Sequence, residues 1–220
     1  MKQKLLALAL GLILLLSGCG FNIQPEGAAF AEGLLRNRYY GEVSADYLRL
    51  AVTSPEHAAE DYQKSLAAEM AYFCDYLGIS EENSDAEQLC AFVTAAYSRI
   101  SFVVGEQQVS EGVITVPVTV QPLRLFDHIT REEYVPVVAP LWEKYSISAD
   151  EGLSGMSAFQ RNRYEGEFFS AILTLLESHL ESAAYGEGQV VQLRLEREGD
   201  YYRPNTEDLT TIHALVLGYE

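Results

Sequence analysis

Residues 101–120 read S-F-V-V-G-E-Q-Q-V-S-E-G-V-I-T-V-P-V-T-V, and the hydrophobic period of the chain changes here. Before this stretch apolar residues recur at helical spacing. Inside it they alternate with a period of two, the signature of half-buried strands. Ser101–Ser110 and Val113–Val120 are expected to pair as a hairpin, with Glu111-Gly112 in the connection. Pro117 removes a ladder donor, so the second strand is expected at a sheet edge or bulged at that residue.

Two helices are expected just upstream. Thr53-Ser54-Pro55-Glu56 supplies a hydroxyl cap, proline at the first position and an acid in the first turn. The helix from Pro55 to Leu77 carries the stripe Tyr62, Leu66, Met70, Phe73 and Leu77, and Gly78 stops it. Ser84-Asp85-Ala86-Glu87 reads as a capping box opening a helix with the stripe Leu89, Phe92, Val93, Ala96 and Ile100. Further upstream, Pro25 opens a helix through Phe30, Leu34 and Leu35 to Tyr39, and a short turn follows at Ala45–Ala51.

Downstream, Pro136 and Pro140 interrupt the helical stretch Arg131–Tyr145, which predicts a broken helix. Ser154–Ala184 reads as a long helix with the stripe Phe168, Ile172, Leu175, Leu176 and Leu180. Gln189–Arg197 alternates as a strand, Glu198-Gly199-Asp200 turns it, and Tyr201-Tyr202-Arg203 returns. Thr206-Glu207-Asp208 caps a last helix. Helices thus segregate from antiparallel strands, which is the α+β pattern: helices packed on a small antiparallel sheet of two hairpins. No linker-like run divides residues 28–220, so a single domain is expected there.

The first residues are of another kind. Lys2 and Lys4 precede Leu5–Leu16, an apolar run of twelve residues broken by one glycine. A helix needs about 20 residues to cross a bilayer core, so the run suits a secretory signal instead. Leu16-Ser17-Gly18-Cys19 follows, and it resembles the lipobox of bacterial lipoproteins. That resemblance implies a signal peptide at 1–18, cleavage before Cys19, and a diacylated Cys19 as the new N-terminus. Residues 19–27 would then be a short tether holding the body at the extracytoplasmic face of the cell membrane. Two acyl chains anchor far better than one.

The chain has a net charge of −17 in 220 residues, and the two leader lysines do not offset the body. Such a body is repelled by nucleic acid and by anionic lipid surfaces, so no nucleic-acid partner is expected and membrane contact falls to the lipid at Cys19. The charge also serves simple solubility. A hydrophobic content of 48% with 14 Tyr and 9 Phe argues against disorder.

The body itself resembles cell-envelope lipoproteins that carry a cystatin-like or NTF2-like α+β domain. The matching features are the helix near 28–40, T-S-P-E at 53–56, F-V-T-A-A-Y-S-R-I-S-F at 92–102 and I-T-V-P-V-T-V at 114–120. The resemblance covers about half of the chain and includes no catalytic motif. That fold group contains enzymes, ligand carriers and interaction modules. The lipobox, the acidic compact body and the missing catalytic motifs favour a membrane-anchored module that binds a protein or small ligand; the alternative is a small-molecule enzyme of the NTF2-like kind with a buried pocket.

The candidate site residues are few. Arg36-Asn37-Arg38-Tyr39 recurs as Arg161-Asn162-Arg163-Tyr164, and eight of fifteen positions agree at that offset. Were the two helices side by side, Arg36, Arg38, Arg161 and Arg163 would converge into an anion site walled by Tyr39 and Tyr164, since guanidinium grips carboxylate or phosphate bidentately. The alternative is local pairing at i,i+4: Glu32–Arg36, Arg38–Glu42, Arg161–Glu165 and Arg163–Glu167. Cys74 and Cys90 lie symmetrically about the turn at 79–83, so a disulfide and two free thiols are both open. His57, His128, His179 and His213 are scattered and match no ligand spacing, and neither metal nor cofactor is expected. A desolvated Asp127 or His128 in a deep pocket would favour the enzyme reading.

Overall fold

The structure is a computed structural model that describes residues 26–127, 129–148 and 152–219. The leader, Cys19, most of the tether and His128 lie outside the described residues. Among the described residues seven α-helices and five strands follow in order: α1 Glu26–Tyr40, α2 Ala45–Ala51, α3 Pro55–Leu77, α4 Ala86–Tyr97, β1 Ser101–Val104, β2 Gln108–Ser110, β3 Val113–Gln121, α5 Arg131–Lys144, α6 Ala158–Leu180, β4 Gln189–Glu198, β5 Tyr201–Pro204 and α7 Thr206–Val216. The protein is α+β, with the helices on one antiparallel sheet ordered β1-β3-β4-β5 and β2 also paired to β3.

The hairpin at 101–120 forms, but its first half is two strands. Glu111 and Gly112 take φ of +52° and +83°, the left-handed pair that a two-residue hairpin turn needs. Pro117 is not at an edge. It lies in β3 opposite Gln192 of β4, in the middle of the sheet. What yields is the partner strand: β1 ends at Val104 and β2 begins at Gln108. The carbonyl of Pro117 accepts from the Gly105 amide at 2.8 Å, so its donorless nitrogen faces that interruption. Gly105 permits the approach, because a Cβ there would stand 2.8 Å from Pro117 Cγ.

Three helices also differ at their ends from the sequence reading. Asp85, not Ser84, caps α4, accepting from the amides of Glu87 and Gln88. Asn205 caps α7 in the same way, one residue before Thr206. α6 begins at a capping box of Ser157 and Gln160 and ends at Leu180, so it is shorter at both ends. Its buried face centres on Phe169, Ile172, Leu173 and Leu176, while Phe168 and Leu175 sit at the margin. α5 is one continuous helix with both prolines inside it. Pro136 and Pro140 are one turn apart on the exposed side, where water can satisfy the carbonyls they free.

Val116, Val118 and Val120 of β3 and Leu193 and Leu195 of β4 point inward and are buried. α1 and α7 cover them, α3 and α4 form an antiparallel pair beside α1, and α5 with α6 lies beyond α4. The buried hydrophobic residues, Tyr164 apart, join into one core.

Candidate functional site

The apolar stripe of α3 contains one acid. Glu69 is three residues after Leu66 and four before Phe73, and its side chain is fully buried. An unpaired carboxyl there would be costly. The fold supplies partners from two other elements and from the segment after α7. The Tyr97 hydroxyl at the end of α4 donates to Oε2 at 2.9 Å. The Tyr219 hydroxyl donates to Oε1. Nε2 of His213 on α7 lies 3.4 Å from Oε2.

Burial pushes the Tyr97 and Tyr219 phenols far above the usual tyrosine range, and the nearby Glu69 pushes the same way. Both therefore remain protonated donors. Burial lowers His213, against the pull of Glu69, and Arg38 adds to the lowering. Nδ1 of His213 is buried without a hydrogen bond. Tyr39 meets Tyr97 edge-on, with centroids 5.2 Å apart, and completes the wall on the α1 side.

A groove opens close by, between the end of α3, Phe126, Ile129 and Thr130, the start of α5 and α6. Its volume is about 710 Å³. Tyr76, Phe126, Ile129, Tyr134 and Phe168 form its walls, and Thr130 and Arg131 its polar rim. The rim is fixed by a capping box in which Thr130 and Glu133 satisfy each other's backbone amides. Two groove residues also reach toward Glu69 through a shared neighbour. The Tyr219 ring packs 5.0 Å from Tyr76, 5.2 Å from Phe126 and 4.8 Å from Tyr72. Tyr219 thus stands between the aromatic groove and the buried acid. A smaller cavity of about 300 Å³, lined in part by Asn37, Arg38, Asp61 and Lys64, lies against α1 and α3.

The two arginine copies have separate neighbours. Arg36 pairs with Glu32 at 3.1 Å and with Glu42 at 2.8 Å. Arg38 lies over the Tyr39 ring at 6.0 Å. Arg161 donates to the Leu153 carbonyl, and Arg163 reaches Glu167 only at 3.9 Å. Tyr164 stacks on Phe168 and meets Tyr145, whereas Tyr39 meets Tyr97. α4 packs against both α1 and α6, which places it between the two copies. Of the local pairs foreseen, Glu32–Arg36 forms closely. Glu165 instead turns inward and accepts from the Ser80 amide at 2.9 Å and the Asn83 side chain at 2.8 Å.

Cys74 and Cys90 are free thiols, Cys74 buried and Cys90 partly so. Burial pushes the Cys74 thiol up, against a hydrogen bond from Ser84. Asp127 pairs with Arg124, three residues before it in the chain. Among the described residues no group of three or more His, Cys, Asp or Glu could hold a metal ion, and no helix is long and apolar enough to cross a membrane.

Sequence reasoning missed Glu69, Tyr97 and Tyr219. Glu69 carried a signal, an acid in register with an apolar stripe. Its partners carried none, since they are 28 and 150 residues away.

No family model matches the chain, and no curated protein matches it significantly. One solved structure is similar in fold: the Bacillus subtilis protein ycdA, assigned as a lipoprotein, with a TM-score of 0.59 and 13% identity. The match covers 87% of this chain and 56% of that one, so the chain spans little more than half of its neighbour's length. At this identity the likeness is one of fold.

Proposed function

We propose that the chain is an extracytoplasmic lipoprotein, anchored through Cys19, whose NTF2-like body is a binding module for a small apolar ligand. The observation that carries the binding reading is the groove walled by Tyr76, Phe126, Ile129, Tyr134 and Phe168. Its size and its apolar walls, with Thr130 and Arg131 at the polar rim, have the anatomy of a small-molecule site. Support for the anchor comes from Lys2 to Cys19 and from the fold shared with a protein assigned as a lipoprotein.

Two experiments test this reading. Metabolic labelling with an alkyne fatty acid is expected to tag the wild-type chain and not Cys19→Ala; equal tagging refutes the anchor. A Nile red titration is expected to saturate on the wild-type chain and to weaken at least about tenfold in Ile129→Glu, which places a charge in the groove wall. An unchanged titration refutes the groove.

A further inference from the structure

The residues around Tyr219 have the composition of a ligand site. An apolar ring is held by Tyr72, Tyr76 and Phe126, and a hydroxyl is held by the buried Glu69 carboxyl. The group in this site belongs to the chain itself. It follows α7, which ends at Val216, and is joined to it by Gly218 in a left-handed conformation with φ of +57°. Gly218 lies tight against the chain behind it, since a Cβ there would be 3.2 Å from the Leu123 carbonyl. The segment is tied by the Leu123 amide to the Val216 carbonyl at 2.9 Å, two residues before the glycine. Gly218 is therefore the joint on which a departure of Tyr219 would turn, beyond the buried Val216 and Leu217 that hold the end of α7.

We infer that Tyr219 occupies an aryl-alcohol site in its own protein. The site's ligand is a phenol or a related aryl alcohol that enters from the groove, displaces the Tyr219 ring and donates its hydroxyl to Glu69. The inference rests on the groove reading for its entrance. Three features select the class. Tyr76 and Phe126 belong both to the groove and to the ring cage, so the two spaces share a wall. Glu69 has no exposed surface, so a ligand can reach it only by taking the place of a residue that covers it. Tyr97 and His213 keep their places on Oε2, leaving Oε1 as the acceptor that departure of Tyr219 frees. A hydroxyl satisfies that acceptor, whereas an alkylbenzene leaves a buried carboxyl oxygen unpaired.

The test is carbodiimide-driven coupling of glycine ethyl ester to Glu69 in the full chain, read on the modified peptide by mass spectrometry. Glu69 of the wild-type chain is expected to couple slowly. Tyr219→Ala is expected to raise the rate about tenfold or more, as a cover is removed from a buried group. 4-Methylphenol should suppress that rise, and toluene at the same concentration should leave it in place. An unchanged rate in Tyr219→Ala overturns the inference, and so does equal protection by 4-methylphenol and toluene. Should Tyr219→Ala fail to fold, Tyr219→Phe keeps the ring and removes only the hydroxyl; a rise of about threefold then supports the site, and no rise overturns it. Failure of the Nile red titration with Tyr219-dependent coupling intact would refute the groove alone. The reverse pattern would refute the aryl-alcohol site alone.

Discussion

Replacing Glu69 by alanine should be among the most destabilising single changes in this protein. The carboxyl is fully buried and receives the Tyr97 and Tyr219 hydroxyls, with His213 3.4 Å away. Each phenol that loses its acceptor inside the core costs about 1–3 kcal/mol. The truncation also leaves a cavity, so a total of about 3–5 kcal/mol is expected. For a chain of this size each kcal/mol lowers Tm by about 2–4 °C, which gives a drop of about 6–20 °C. Glu69→Gln keeps the shape and one acceptor and should cost less than half as much. Urea denaturation followed by circular dichroism measures all three proteins. The decisive comparison is a double-mutant cycle. Tyr97→Phe should cost about 1–3 kcal/mol alone and close to nothing in the Glu69→Ala background, because its partner is already gone. A loss below about 1 kcal/mol in Glu69→Ala, or additive effects in the cycle, would refute the view that this carboxyl ties α3 to α4 and to the segment after α7.

Other outcomes are expected from the same structure. Burial lowers the His213 pKa from 6.5, so the unfolded chain takes up that proton more readily than the folded one. Its contribution to stability is therefore present above pH 6.5 and lost as pH falls below it; His213→Gln should lose less stability than wild type between pH 7 and pH 5 in parallel urea titrations. Gly33→Ala would bring a new Cβ to 2.5 Å from the Tyr47 Cβ, a contact between two backbone-fixed atoms of α1 and α2. It should destabilise by about 1–3 kcal/mol, and a Tm equal to wild type would contradict the packing of α2. A thiol assay on the denatured body without reductant should count both Cys74 and Cys90, and in the native body Cys90 should react first because Cys74 is buried with its thiol pKa raised. Glu165→Ala strips the Ser80 amide and the Asn83 side chain of their acceptor and should speed proteolysis within residues 79–84, with little change elsewhere.

Local physics made most of the fold legible. The switch from helical to alternating period at Ser101, the cap at Ser54-Pro55 and the stop at Gly78 act between residues close in the chain, so their outcome is written where they stand. The same holds for Glu111-Gly112, whose backbone can turn as a tight hairpin requires. Pro117 shows where local reading ends. Its missing donor was evident, but whether the edge of a sheet or a gap in the neighbouring strand would accommodate it depended on Gly105 and on the pairing with β4. The prolines of α5 are similar, because exposure of that face is a property of the packed molecule.

The candidate site belongs to the tertiary structure almost entirely. The repeat at Arg36–Tyr39 and Arg161–Tyr164 is conspicuous in sequence, yet α4 lies between the copies and each keeps to its own surroundings. The acid that the core surrounds, Glu69, stands in register with the α3 stripe, but nothing in a chain with 32 Asp and Glu marks the distant groups that satisfy it. Its burial and its phenol partners arise when α3, α4, α7 and the segment after α7 come together, and the aromatic groove beside it when α5 and α6 meet the end of α3. Helix periods and caps are decided within a few residues by backbone geometry. A buried polar site is decided by desolvation, which exists only once distant segments have closed over it.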